Sequence, residues 1–384
     1  MAKFLQTLMD GVAVGSLYAL IALGYTMVYG ILKFINFAHS DIFVLGAWVS
    51  FVAAVGAGWS ASGAEFTPPN WLYVVLIAVP AFGALLTGYE RGVAGPLRTR
   101  IRLPLADGGP GVTVLLVGVW AWAAFGAAHL ARLVYHEEQP AARYLSAFFI
   151  LICAMLSCGL VGFSIERLAY KPLRGAPRLN VLITAIGVSL FLQNAGQLKF
   201  LFGTQPQRMP PLLPDVVIAQ VMDVNVRLVD VVGAGTAVVL MLLLEWLVYR
   251  TKLGTAMRAV SFNFNHAALM GISVDRTISF TFVLGTMLAA AAGYLFAMKY
   301  PGLNQPAHAT WVLLGLKAFV AAVIGGIGNV RGAMLGGLFI GLIEFFGRAY
   351  LYPQLSDVYV FSLLILVLLL RPAGILGKAT VEKV

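Results

Sequence analysis

Residues 8–31 read LMDGVAVGSLYALIALGYTMVYGI, twenty-four positions whose single charge, Asp10, stands near the start. A helix of about 20 mainly apolar residues crosses the roughly 30 Å hydrocarbon core of a bilayer. Comparable runs fall at 34–55, 71–90, 112–134, 146–166, 179–201, 228–249, 278–298, 312–328, 332–350 and 357–371, which makes eleven segments. In hydrocarbon the backbone must satisfy its own hydrogen bonds, so these runs predict an all-α polytopic membrane protein. Only the Gly-rich stretch Gly325–Gly332 divides the ninth run from the tenth, a pattern that fits broken or re-entrant half-helices.

Composition agrees. Of 384 residues, 60% are hydrophobic and 11% charged, against about 25% charged in a soluble chain. So little polar surface cannot coat a soluble core, which excludes a soluble enzyme, a nucleic-acid-binding protein and a disordered scaffold. Residues 1–384 read as a single transmembrane domain. The net charge of +10 reflects topology, because cytoplasmic loops collect Lys and Arg. Loops assigned to the inside (32–33, 91–111, 167–178, 250–277, 329–331 and the tail from 371) carry 17 of the 26 positives; the opposite side carries 7, and Arg132 and Lys317 fall within spans. This bias predicts an outside N-terminus and a cytoplasmic C-terminus. Cys153 and Cys158 share one apolar run and suggest neither a disulfide nor a metal site. The N-terminus lacks the cleavage site of a removable signal. Three spans end with an acid near a base (Glu90-Arg91, Glu166-Arg167, and Glu245 before Arg250), read as anchors at the inner interface.

The chain carries no catalytic engine. Its one Gly-Lys pair, Gly377-Lys378, is followed by Ala379 and preceded by Pro372 where a phosphate-binding loop needs its first glycine. No HExxH, no GxSxG and no carboxylate pair within one span occurs, so no cofactor and no metal are expected. Transport, conduction or a structural role remain. The strongest polar signal is Asn36-Phe37-Ala38-His39-Ser40-Asp41 at the head of the second span. Polar groups at that depth face a cavity, a partner or water, as at an unwound helix start along a pathway. They equally fit a cap formed by Asn36 or Ser40 with Asp41 in the first turn, and both readings can hold. Gly328, Gly332 and Gly336 recur every four residues, as do Gly337 and Gly341, and Gly11 and Gly15, a spacing that lets membrane helices approach closely. The inner loop 250–277 alternates apolar and polar residues between Thr255 and Gly271, as one or two short amphipathic helices at the membrane surface. Such a helix either rests on the surface or docks a cytoplasmic motor. On the outer side, Pro206, Pro210, Pro211 and Pro214 predict an ordered, non-helical loop that either connects spans or receives a soluble protein.

The sequence resembles the branched-chain amino acid ABC transporter permeases of the LivH type. The likeness is carried by Gly24–Gly30 (GYTMVYG), Ile35–Asp41 (INFAHSD), Glu166–Pro177 (ERLAYKPLRGAP), Ile186–Asn194 (IGVSLFLQN), Leu253–Val274, Lys317–Gly337 (KAFVAAVIGGIGNVRGAMLGG) and Arg371–Gly377 (RPAGILG). It covers residues 1–55 and about 146–384. It implies a permease subunit in a bacterial plasma (inner) membrane, paired with a second, similar permease. Two cytoplasmic ATP-binding subunits would hydrolyse the ATP, and an external solute-binding protein would deliver substrate. The same likeness implies a substrate pathway near Asn36, His39, Asp41, Gln193 and Asn194. It also implies coupling to the ATPase through Thr255, Met257, Arg258, Phe262, His266 and Gly271. Two departures stand out. Residues 71–145 look like an insertion with two extra spans and a basic loop, Arg91–Arg102, and Ser40 stands where the family usually has Gly. The function expected is import of branched-chain or other small hydrophobic amino acids. Urea or short amides are the alternative within the family. A stand-alone channel or secondary carrier, with Asp41 and Glu344 as its coupling acids, is the alternative outside it.

Overall fold

The computed structural model describes residues 1–59, 110–135, 140–199, 201–221 and 223–377. The apolar runs become α1 (Ala2–Leu32), α2 (His39–Gly56), α3 (Pro110–Tyr135), α4 (Pro140–Ile165), α5 (Arg178–Gly196), α6 (Leu228–Arg250), α9 (Val274–Lys299), α10 (Ala309–Gly325), α11 (Val330–Tyr350) and α12 (Ser356–Leu370). Among the described residues nine helices are long and apolar enough to cross a membrane, and α10 is shorter. Ten of the eleven expected segments thus have a helix; the run at 71–90 and the loop Arg91–Arg102 lie outside the described residues.

α1 is the axis of the bundle and is buried nearly throughout. It packs against α11, α9, α10, α6 and α2, while α9 also meets α4 and α2. Small residues permit this closeness. A side chain at Gly15 would stand 3.0 Å from the backbone of Leu338, and one at Gly11 3.2 Å from that of Leu342. On the other side of α11, Gly336 lies against Ala321 and Gly332 against Gly325 of α10. Gly328 does not join these contacts. It sits in the break between α10 and α11 with φ +93°, where a left-handed turn needs it, two residues after Gly326 at the start of the break (φ +103°). The break is closed from outside: Ile375 and Leu376 donate backbone N–H groups to the carbonyls of Ile324 and Gly325. Asn329 caps α11 through Gly332 N–H and donates to the Leu376 carbonyl.

One end of the bundle carries the N-terminus of α1 and the loop 201–227, where β2 (Val217–Val221) and β3 (Val224–Arg227) form an antiparallel hairpin. β1 (Gln207–Arg208) pairs antiparallel with β4 (Gly302–Leu303), and Asn225 N–H donates to the Gln6 side chain at 3.0 Å. The prolines there keep the chain ordered and non-helical, as expected. The opposite end carries α7 (Lys252–Phe262), α8 (Phe264–Leu269) and the strap 371–377. The outer helices present their apolar side chains outward: Trp120, Phe191, Trp246 and Leu369 are each more than half exposed, the surface a hydrocarbon solvent covers at no cost.

Candidate functional site

α1 ends at Lys33, whose backbone turns left-handed (φ 57°), and the chain then re-enters the bundle. The His39 ring lies against Gly24 of α1 and stacks edge-on with Tyr25 at 4.7 Å. Gly24 is eight residues, or about 12 Å, before the end of α1, so α2 starts inside the bundle rather than at its surface. Ser40 lies directly against Gly315 of α10. The Ser40 side chain is housed there because residue 315 has none.

No side chain caps α2. Asn36 is taken elsewhere: its Oδ1 accepts a 2.6 Å hydrogen bond from the Tyr170 hydroxyl, and both residues are buried. Ser40 donates to the Phe37 carbonyl. The expected cap is therefore replaced by a contact across the bundle, while Asp41 does occupy the first turn. Tyr170 arrives there from a π-helical turn, Glu166–Tyr170, which continues α4; such turns widen a helix and re-aim its side chains.

Asp41, 6% exposed, receives Gln193 Nε2 on Oδ1 at 2.9 Å, and Gln193 is steadied by Ser189 Oγ at 3.2 Å. Asp41 Oδ2 and both ring nitrogens of His39 have no hydrogen-bond partner. A cavity of about 250 Å³ opens beside Asp41 and Gln193, between α2, α4 and α5. Asn194 does not join the group. It is exposed and donates to the Leu190 carbonyl of its own helix, since adjacent helical residues point in different directions.

Two further buried acids are saturated. Glu344 accepts from Tyr18 Oη at 2.8 Å and Lys317 Nζ at 2.7 Å, and from Arg348; Lys317 also meets Asp357 at 2.6 Å. Glu344 is thus a strut joining α1, α10 and α11, not a free coupling acid. Glu166 accepts from Ser279 Oγ at 2.6 Å and from Arg174, which also holds Asp275. Glu166 therefore pins the end of α4 to α9, a tighter role than an interfacial anchor. Glu245 pairs with Arg331 at 2.7 Å rather than with Arg250.

At the opposite end, Thr251 caps α7 through Gly254 N–H, and Asn263 caps α8 through the N–H groups of Asn265 and His266. Thr255, Arg258, Phe262, His266 and Gly271 are exposed on this pair, and Leu269 and Met270 join them. Met257 is not part of that face: with Val260 it is buried against the bundle. The amphipathic period of α7 gives both residues an apolar character, but only Phe262 points away. Among the described residues no group of three His, Cys, Asp or Glu is placed to hold a metal ion.

The family model described as "branched-chain amino acid transport system / permease component" matches residues 7–91 and 112–370. The high-affinity branched-chain amino acid transport permease BraD of Pseudomonas aeruginosa is 36% identical over 99% of this chain and 98% of its own. LivH of Escherichia coli is 33% identical over the same shares. The autoinducer 2 import permease LsrC of Klebsiella pneumoniae is 37% identical over 26% of this chain and 30% of its own. No solved structure is significantly similar.

Proposed function

Because the chain belongs to the permease family of branched-chain amino acid transport systems, we propose that it is the membrane subunit of an ATP-driven importer. Its cargo is branched-chain or other small hydrophobic amino acids, and its site is a bacterial plasma membrane. The observation that carries this reading is identity to BraD and LivH along nearly the whole length of all three chains. The partners are a second permease, two cytoplasmic ATP-binding subunits and an external solute-binding protein; ATP is bound by the ATPases and not by this chain.

The proposed mechanism is alternating access. The exposed face of α7 and α8 sits in a groove of the ATPase. Closure of the ATPases moves that pair, and Gly254, which lies against the Leu247 and Val248 carbonyls, transmits the movement to α6. Asn36, His39, Asp41 and Gln193 line the polar stretch that the cargo passes. The loop 201–227 faces the binding protein.

Reconstitution tests the reading. The purified chain alone in liposomes is expected to move no leucine. With its ATPases and binding protein, it is expected to accumulate leucine in an ATP-dependent manner and to leave urea behind. Leucine flux through the chain alone would overturn the proposal.

A further inference from the structure

We propose that the cavity between α2, α4 and α5 binds a primary ammonium group carried on an apolar chain, with the Asp41 carboxylate as its counter-charge. The inference rests on the importer reading in one respect: that reading supplies the α-ammonium of the cargo as the ligand.

The argument starts from an imbalance. Among the described residues the two other buried acids, Glu166 and Glu344, are each met by the chain's own cations, Arg174 in one case and Lys317 with Arg348 in the other. Asp41 is also buried, at 6% exposure, but the groups that meet its carboxylate are neutral: the Gln193 amide on Oδ1, with the Ser189 hydroxyl and its own backbone beside it, and its buried Oδ2 is left without a hydrogen bond. A carboxylate in a dry site is costly unless a cation and hydrogen-bond donors reach it. An ammonium group brings one positive charge and three donors.

The rest of the cavity defines what the ammonium rides on. Asp41, Gln193, Ser157 and the indole N–H of Trp48, which has no hydrogen-bond partner, are its polar groups; the walls are Val44, Val49, Val161, Leu192 and their apolar neighbours. At the β-strand end the Phe202 ring, another lining residue, stacks on Trp48 with centroids 5.3 Å apart. One carboxylate and one amide are too few oxygens for a bare divalent cation, which needs about six. Among the described residues no Lys or Arg lines the cavity, so a carboxylate on the ligand finds no counter-charge there, and selection rests on the amine.

Two sources offer this chemistry. One is a free amino acid or amine. The other is the headgroup of an aminophospholipid, because α5 has Leu190 and Phe191 on the exposed side of the bundle.

The test uses the full chain in phosphatidylcholine nanodiscs, whose lipid carries no primary amine, and ligand-observed saturation-transfer NMR with isoamylamine, L-leucine and 4-methylpentanoate. Isoamylamine and leucine are expected to give signals at least about tenfold stronger than 4-methylpentanoate, and Asp41→Asn is expected to lose them by a similar factor. An equal signal from 4-methylpentanoate, or full amine binding by Asp41→Asn, overturns the proposal. Val49→Trp fills the cavity while leaving Asp41 and Gln193 untouched; undiminished amine binding there overturns the location. Adding phosphatidylethanolamine to the discs identifies the source. Loss of the isoamylamine signal assigns the ammonium to the lipid, retention assigns it to the soluble amine, and both support the shared chemistry. If amines bind as expected but the reconstituted assembly imports no leucine, the importer reading fails and the site stands.

Discussion

Tyr170 and Asn36 meet across 134 positions of sequence. The tyrosine ring is packed between Phe34 and Phe282, with centroids 5.2 and 5.5 Å away, so phenylalanine would fill the same space and remove only the donor. Side-chain hydrogen bonds inside membrane proteins average about 0.6 kcal/mol and reach about 1.7. The upper figure applies here, because Tyr170→Phe strands a buried acceptor. A lowered Tm is expected for the detergent-purified chain. The same change on an Asn36→Ala background is expected to cost less, which a double-mutant cycle reads directly. The site was half legible in the sequence for a physical reason. Asn36, His39 and Asp41 stand out because polar groups are rare in apolar runs. Tyr170 does not, since a tyrosine near the end of a span fits an interfacial belt equally well. Gln193 and Asn194 are indistinguishable as neighbours in sequence, and only the phase of α5 separates the one that faces Asp41 from the one that faces away.

Close helix contact is the device that holds the bundle's centre. At Gly15 a side chain would meet the Leu338 backbone at 3.0 Å and the Gly337 carbonyl at 3.1 Å, atoms that cannot rotate away. Gly15→Val is expected to cost on the order of 1–3 kcal/mol, the range for overpacking, seen as a Tm loss. Gly233→Ala on α6, where nothing lies within 4 Å, is expected to leave Tm unchanged. The α7–α8 pair yields a second contrast. Phe262 is 89% exposed and Met257 5%. Phe262→Glu is expected to preserve Tm while abolishing co-purification of the ATPase and uptake. Met257→Glu is expected to lower Tm outright, because it buries a charge against the bundle. Spans were readable because an apolar run of this length in a bilayer satisfies its backbone as a helix, and the bounds of the described helices agree with the apolar runs to within about six residues. The depth at which α2 begins was not readable. It depends on Gly24 of α1 and Gly315 of α10 making room for His39 and Ser40, a fact of packing that periodicity does not contain.

Across the whole molecule, the distribution of Lys and Arg predicts that the α7–α8 end is cytoplasmic and the β-strand end external. Cysteine labelling checks this, since the native Cys153 and Cys158 are both buried. Val216→Cys on the β-strand end is expected to react with a membrane-impermeant maleimide in intact cells, and Leu269→Cys only after permeabilisation. The reverse pattern would invert the assignment. Charge counting gives a direction but no packing order, and so it could not show that α1 is the axis and that α5, α6 and α12 are peripheral. That order comes from small residues meeting on α1, α10 and α11, which pair only once the helices have been brought together.

The strap 371–377 bears on how the chain is made. The carbonyls of Ile324 and Gly325 wait for the N–H groups of Ile375 and Leu376, about 50 residues later, an interval of roughly 2–10 s at a translation rate of about 5–20 residues per second. Through that interval the elbow between α10 and α11 is an open hinge beside the lipid headgroups. A chain ended at Arg371 is expected to keep that hinge: limited proteolysis should cut it near Gly326–Asn329, where the full chain resists. The strap is then the latch that locks the elbow once α10 and α11 are in place.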